Sequence, residues 1–125
     1  MNKCVFCSYN PTEIMAENRV AFAILDKFPV NEGHTLIIPK RHFESFFEAT
    51  EEELKGIYSL MHEVKEMLDI QYEPTGYNVG VNIGYDAGQT IMHLHIHLIP
   101  RYRGDVENPR GGIRHFKIPL VEFDG

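Results

Sequence analysis

Apolar and polar positions along this 125-residue chain fall into four β-like runs and one helical run. Residues 19–25 (RVAFAIL) are mostly apolar and rich in β-compatible side chains, which predicts a strand. Proline and glycine punctuate the turn at 28–33 (FPVNEG), and 34–39 (HTLIIP) reads as a second strand stopped by Pro39. The short link between the two runs predicts an antiparallel pair. Thr50, with Glu53 three residues on, forms a capping-box pattern and sets a helix start. Leu54, Ile57, Met61, Val64 and Leu68 then recur at three- and four-residue steps, marking one apolar helix face. Glu51, Glu52 and Glu53 complement the helix dipole, and Pro74 with Gly76 ends the element. Residues 77–83 (YNVGVNI) and 90–99 predict two further strands, joined as a hairpin through the Gly-containing turn at 84–88. Beyond Pro100 the chain is rich in Gly, Pro and Arg and predicts loop. The fold class is α+β: an antiparallel sheet with the main helix on one face. No repeat or linker divides residues 1–125, so a single domain is expected.

Composition is that of an ordinary globular chain, with 43% hydrophobic and 24% charged residues, which argues against disorder. No apolar run approaches the roughly 18 residues of a membrane span, and the first residues lack the apolar core of a signal peptide. A cytoplasmic location without membrane partners is the expectation. The formal charge of −6 disfavours general nucleic-acid binding, which needs a basic surface. That charge is unevenly placed. Residues 44–73 carry nine acids against Lys55 and Lys65, whereas 101–117 carry five Arg or Lys against Asp105 and Glu107. A small anionic ligand suits this pattern better than a long polyanion.

Three of the seven histidines lie within five residues, at His93, His95 and His97. A strand alternates its side chains, so these three share one face while Leu94, Ile96 and Leu98 point to the core. Three adjacent imidazoles buried without partners would be costly, so that face should line a cleft or bind a ligand. Two chemistries fit. His-x-His on a strand chelates zinc well; alternatively, one imidazole attacks phosphorus while its neighbours orient it and handle protons. The adjoining Gln89 and Thr90 are neutral donors and favour phosphate. Cys4 and Cys7 form a lone Cys-x-x-Cys, open to a redox pair, a disulfide or half of a metal site.

Residues 89–99 (QTIMHLHIHLI) resemble the motif of the histidine triad family of nucleotide hydrolases and transferases. The resemblance extends to Cys4-Val5-Phe6-Cys7, to 33–42 (GHTLIIPKRH) and to Asn82-Ile83-Gly84. It implies a HIT-like α+β fold, an antiparallel sheet of about five strands with one main helix and a short helix, and it implies that His95 is a nucleophile forming a nucleotidyl-histidine, with His97 near the phosphate or leaving group and His34 in support. It further implies phosphate contacts from Gln89 and Thr90, a phosphate or ribose contact from Asn82, and ribose binding by Asp26. Val5, Phe6, Ile24 and Leu25 match positions around a purine. Bacterial members place a structural zinc on residues matching Cys4, Cys7, His42 and His93. The implied activity releases a nucleoside monophosphate, AMP above all, from a dinucleoside polyphosphate or from a purine nucleoside phosphoramidate, and the implied assembly is a homodimer. Two readings of other kinds stand beside it: a hydrolase with a catalytic zinc on all three triad histidines, and a nucleotide-binding module without turnover. His62 and His115 have no assignment.

Overall fold

In a computed structural model, which describes residues 4–117, the apolar runs pair into one antiparallel sheet. Its strands are β1 (Ile14–Glu17), β2 (Ala21–Leu25), β3 (Thr35–Pro39), β4 (Gly76–Val81) and β5 (Ile96–Arg101). They lie in the order β1-β2-β3-β5-β4. The long helix α1 (Glu51–Tyr72) packs on one face. Among the described residues the short helical pieces are four three-residue 3-10 turns. β1 is the strand the pattern did not single out, being four residues long with an irregular register against β2.

The unbroken apolar character of β2 and β3 follows from burial on both faces. Ala21, Ala23 and Ile37 meet Ile57, Leu60, Val64 and Leu68 of α1. On the opposite face, Phe22, Ile24, Leu36 and Ile38 pack with Phe6. The capping box forms as expected, Thr50 Oγ1 accepting from Glu53 N at 3.1 Å and a Glu53 oxygen accepting from Thr50 N at 2.9 Å. Leu60 rather than Met61 takes the centre of the helix stripe, and Leu54 and Met61 sit half-buried at its margin. A 3.6-residue period allows either neighbour to face the sheet, and packing selects Leu60.

The second strand pair is joined by a nine-residue loop, closed by Asp26 N donating to the His34 carbonyl at 2.9 Å. Gly33 in this loop has φ +88°, and a Cβ there would press on Tyr72 and Pro100 at 3.0 and 3.1 Å. Only glycine meets both conditions.

The histidine strand is shorter than its alternation predicts. Ladder pairing with β3 runs only from Thr35↔Leu98 to Ile37↔Ile96. Pro39 has no N–H to extend it, and its carbonyl is taken by the imidazole of His93 at 2.8 Å. The Leu94 N–H turns instead to the Phe43 carbonyl at 2.7 Å. His93 and His95 therefore lie just outside β5, and β4 meets β5 through residues 82–95 rather than through a tight hairpin. At its other end β5 runs through Pro100 to Arg101, past the predicted stop. β3 has left the ladder by that point, so the missing proline N–H costs nothing.

Candidate functional site

The site lies on the sheet face away from α1. There, the irregular stretch before β5 gives each triad histidine a different neighbourhood. His95 is 8% exposed, and its Nδ1 lies 2.8 Å from the His93 carbonyl. A carbonyl only accepts, so the hydrogen of His95 sits on Nδ1 and Nε2 keeps its lone pair. The ring packs against those of Phe6 and His97, with centroids 5.3 Å away in each case.

His97 is fixed through His34. The Val30 N–H donates to His34 Nδ1 at 3.0 Å, so the His34 hydrogen is on Nε2. That hydrogen is directed to His97 Nδ1 at 2.9 Å, with Asp26 Oδ2 at 3.4 Å on the same nitrogen. His97 accordingly carries its own hydrogen on Nε2 and can donate it to an anion. Burial lowers the pKa of both rings. His97 is brought down to about 4, with the neighbouring His95 and His34 adding to the effect of burial. For His34 the Asp26 charge works against the burial.

These shifts make stability depend on pH in a stated direction. An unfolded histidine takes up a proton near 6.5, whereas His97 in the fold resists until about 4. The stabilisation is complete above 6.5 and is lost as pH falls toward 4, by about 3 kcal/mol for this group. Glu53 does not confuse that window. The Arg41 guanidinium, bonded to both its oxygens at 2.9 and 2.8 Å, holds its carboxyl at about 2. Its contribution therefore fades only below pH 4.5. Urea unfolding at pH 7 and pH 4.5 should show the loss, and His97→Gln should reduce it, leaving the part that buried His34 contributes in the same direction.

His93 turns away from its two partners. Its Nε2 hydrogen is donated to Pro39 O, which leaves Nδ1 as an acceptor. That nitrogen faces Cys4 Sγ at 3.2 Å, Cys7 Sγ at 3.6 Å and His42 Nδ1 at 3.1 Å, and Cys7 Sγ lies 3.3 Å from His42 Nδ1. Ligand atoms around a tetrahedral zinc, with Zn–N about 2.0–2.1 Å and Zn–S about 2.3 Å, stand roughly 3.3–3.8 Å apart. The four separations, 3.1–3.6 Å, come near that spacing, and the carbonyl on His93 Nε2 is the customary outer partner of a metal-bound imidazole. Cys4, Cys7, His42 and His93 thus form a group able to hold a metal ion.

Asp26, His34 and His97 also bring three donor atoms within 4.8 Å of one another. Their hydrogen bonds suit a proton better than a cation, because the Val30 N–H on Nδ1 obliges neutral His34 to keep its hydrogen on Nε2. The three triad rings do not converge on one point, so the arrangement disfavours a single catalytic ion shared by all three.

Val5, Phe6, Ile24 and Leu25 line a cavity of about 210 Å3 with Asp26 at its edge. Sequence reasoning missed Leu36 and Ile91 in the same wall; the alternation of β3 placed Leu36 on this face, but nothing local signalled Ile91. Asn82 lies with His34 and His97 on a second cavity, of about 500 Å3. Thr90 is exposed beside Cys4 and His42. Gln89 stands apart from the phosphate role expected of it. It is 3% exposed, its amide donates to Glu44 O and Ile91 O at 3.1 Å each, and its oxygen accepts from Gly84 N at 2.8 Å. All three groups are committed to the backbone, so Gln89 shapes the 84–91 loop. His62 pairs with Glu66 on the exposed side of α1, whereas His115 lines the second cavity.

Comparison with known proteins places this geometry in context. A family model described as HIT domain matches residues 8–104. An uncharacterized HIT-like protein from Methanocaldococcus jannaschii is 39% identical, over 97% of this chain and 93% of its own. The crystal structure of a Zn-bound histidine triad family protein from Mycobacterium smegmatis is 32% identical, with a TM-score of 0.73, covering 82% of this chain and 77% of that one. A bis(5'-nucleosyl)-tetraphosphatase from Schizosaccharomyces pombe is 29% identical over 75% of this chain, which spans 52% of that enzyme.

Proposed function

The chain belongs to the histidine triad (HIT) family, and from that premise we propose that it cleaves nucleotides at the α-phosphate through a covalent intermediate on His95. The observation that carries this reading is the tautomer of His95. With Nδ1–H held by the His93 carbonyl, the Nε2 lone pair is the one free nucleophile of the triad.

The nucleoside lies in the cavity of Val5, Phe6, Ile24 and Leu25, with Asp26 toward the ribose. His95 Nε2 attacks the α-phosphorus, forming a P–N bond as the bond from phosphorus to the leaving group breaks. The leaving group departs with the electron pair and takes its proton from solvent, while the neutral His97 Nε2–H donates a hydrogen bond to the phosphoryl oxygens without giving up its proton. Asn82 and Thr90, whose side chains have no hydrogen-bond partner among the described residues, supply further donors. Water then attacks phosphorus, the P–N electrons return to His95, the water proton passes to solvent, and AMP is released. Two easier displacements replace one slow attack by water.

Cys4, Cys7, His42 and His93 hold a structural zinc in this reading. When bound, it supplies a crosslink between the N-terminal segment, the chain after β3 and the triad. The bound state of a related protein supports the assignment. The wider setting is a single HIT domain over residues 1–125, acting in the cytoplasm as a homodimer. Among the described residues no helix is long and apolar enough to cross a membrane.

Incubation with diadenosine tetraphosphate and with an adenosine phosphoramidate tests the activity. AMP should appear from at least one, together with a protein species heavier by one adenylyl group in intact mass spectra of quenched reactions. Turnover without such a species, under quenching fast enough to catch it, points to direct attack by water.

A further inference from the structure

We propose that Asn31, held by Asp105, is a positioning residue: the pair clamps the loop between β2 and β3 so that the Val30 N–H keeps His34, and through it His97, in the tautomer that serves the phosphate. The proposal rests on the nucleotide-cleaving reading above and goes beyond it by tracing the donor on His97 to residues outside the triad.

The tautomer of His97 depends on one backbone group. The Val30 N–H on His34 Nδ1, at 3.0 Å, obliges neutral His34 to carry its hydrogen on Nε2, which meets His97 Nδ1 at 2.9 Å. His97 Nδ1 therefore accepts, and His97 Nε2 keeps the hydrogen offered to the phosphoryl oxygens. Were the Val30 N–H to move away, His34 could carry its hydrogen on Nδ1 and turn a lone pair toward His97. His97 would then hold its hydrogen on Nδ1, and its Nε2 lone pair would repel an anion. Asp26 Oδ2, 3.4 Å from His34 Nε2, favours the working tautomer, so the change would be partial.

Burial does little to anchor this loop at Val30. The Phe28 and Val30 side chains are 88% and 66% exposed. Polar bonds fix the backbone instead. On one side, Phe28 N donates to Asp26 Oδ1 at 2.8 Å. On the other, the Asn31 amide donates to Pro100 O at 3.1 Å and to Asp105 Oδ2 at 2.7 Å, and the Asn31 carbonyl accepts from His34 N at 3.1 Å. Tyr102 adds a further tie, its hydroxyl donating to Glu32 O at 2.7 Å.

The acceptor for Asn31 is itself firmly held. Arg101 grips Asp105 through Nε and Nη2 at 2.8 and 2.9 Å, and Tyr102 N donates to it at 3.0 Å. These donors, Arg101 foremost, hold the Asp105 carboxyl well below the usual carboxylate range, so it stays anionic. A hydrogen bond to a charged carboxylate is shorter and stronger than one between neutral groups. The remaining Arg101 nitrogen, Nη1, reaches Asn78 Oδ1 on β4 at 2.7 Å. The clamp is thus fastened to β4 and β5, outside the loop that it steadies.

The test joins a spectrum to an assay. Long-range proton–nitrogen NMR of the histidine rings tells a protonated ring nitrogen from a bare one, and it needs no substrate. At about pH 7 the parent should show His34 and His97 each protonated on Nε2. Asn31→Asp is isosteric but sets a carboxylate against Asp105. It should protonate His97 partly on Nδ1 and lower kcat for nucleotide cleavage about tenfold, with KM little changed. Asn31→Ala removes the donors without adding charge and should move both readouts the same way. Thr50→Ala, which loses the cap of α1 on the opposite face of the sheet, weakens the fold and should leave the tautomers and kcat at parent values. Thermal melts check that each variant is folded. Other tautomers in the parent, or parent tautomers in the Asn31 variants, overturn the proposal. So does a changed tautomer with kcat unaltered, or an equal tautomer shift in Thr50→Ala. Should the parent cleave no nucleotide, that reading falls alone, and the spectra still decide the clamp.

Discussion

Replacing His95 with glutamine is expected to lower kcat for nucleotide cleavage by about 10⁴-fold, with KM little changed. Glutamine can still donate to the His93 carbonyl and fill the space against Phe6, so the fold should persist. It offers no lone pair able to form a P–N bond at phosphorus. What remains would come from binding and from donors such as His97, Asn82 and Thr90, which act on the phosphate without forming a bond to it. The check is a steady-state assay on whichever nucleotide the parent cleaves, with intact mass of the quenched protein and a urea midpoint as the folding control. Retention of more than a tenth of the parent's kcat would exclude His95 as the nucleophile. The corresponding His97→Asn variant should slow turnover less, because it removes a donor rather than the reacting atom.

The second large effect concerns the metal. Stripping the zinc assigned to Cys4, Cys7, His42 and His93 should lower the melting temperature by about 10 °C, equivalent to about 3 kcal/mol in a domain of this size. The physical reason is specific. His93 Nδ1 is an acceptor facing His42 Nδ1 at 3.1 Å, and two nitrogen lone pairs at that distance repel unless a proton or a cation lies between them. Zinc also binds both thiolates, whereas a proton would satisfy only the nitrogens. Protein purified without chelator should carry about one zinc per chain, and its melt should fall on chelation. Cys4→Ser combined with Cys7→Ser should melt at the lower temperature and ignore the chelator. An unchanged parent melt, with zinc well below one per chain, would remove the assignment.

The helix start at Thr50 and the two apolar runs of β2 and β3 were legible because they depend on local spacing and two-sided burial. The grouping of Cys4, Cys7, His42 and His93 was legible only through family resemblance, since no local pattern joins residues so far apart in sequence. The end of the histidine strand was misread because alternation continues through His93 and His95 while the backbone does not. Pro39, on a different strand, stops the ladder, and a rule applied to one strand cannot see its neighbour. Gln89 illustrates a related limit. A neutral donor beside a triad reads as a ligand for phosphate, but the 84–91 loop has backbone groups of its own to satisfy, and the buried amide serves them. His115 carried no local signal at all; only the packing of its turn against β4 brings it to the cavity of His97.

The distance along the chain between Cys4 and His93 also has a kinetic consequence. These residues are 89 positions apart yet in contact, so their meeting closes one of the longest loops in the molecule. Closing such a loop is entropically costly and is repaid only after the intervening strands and helix are in place. The N-terminal tether therefore belongs to the late steps of folding. In the native state it joins the sheet through side chains such as Phe6 and not through a strand ladder, so its release breaks no strand pairing. Hydrogen exchange should find the amides around Cys7 opening before those of β2 and β3, and metal held by Cys4, Cys7, His42 and His93 should slow that opening.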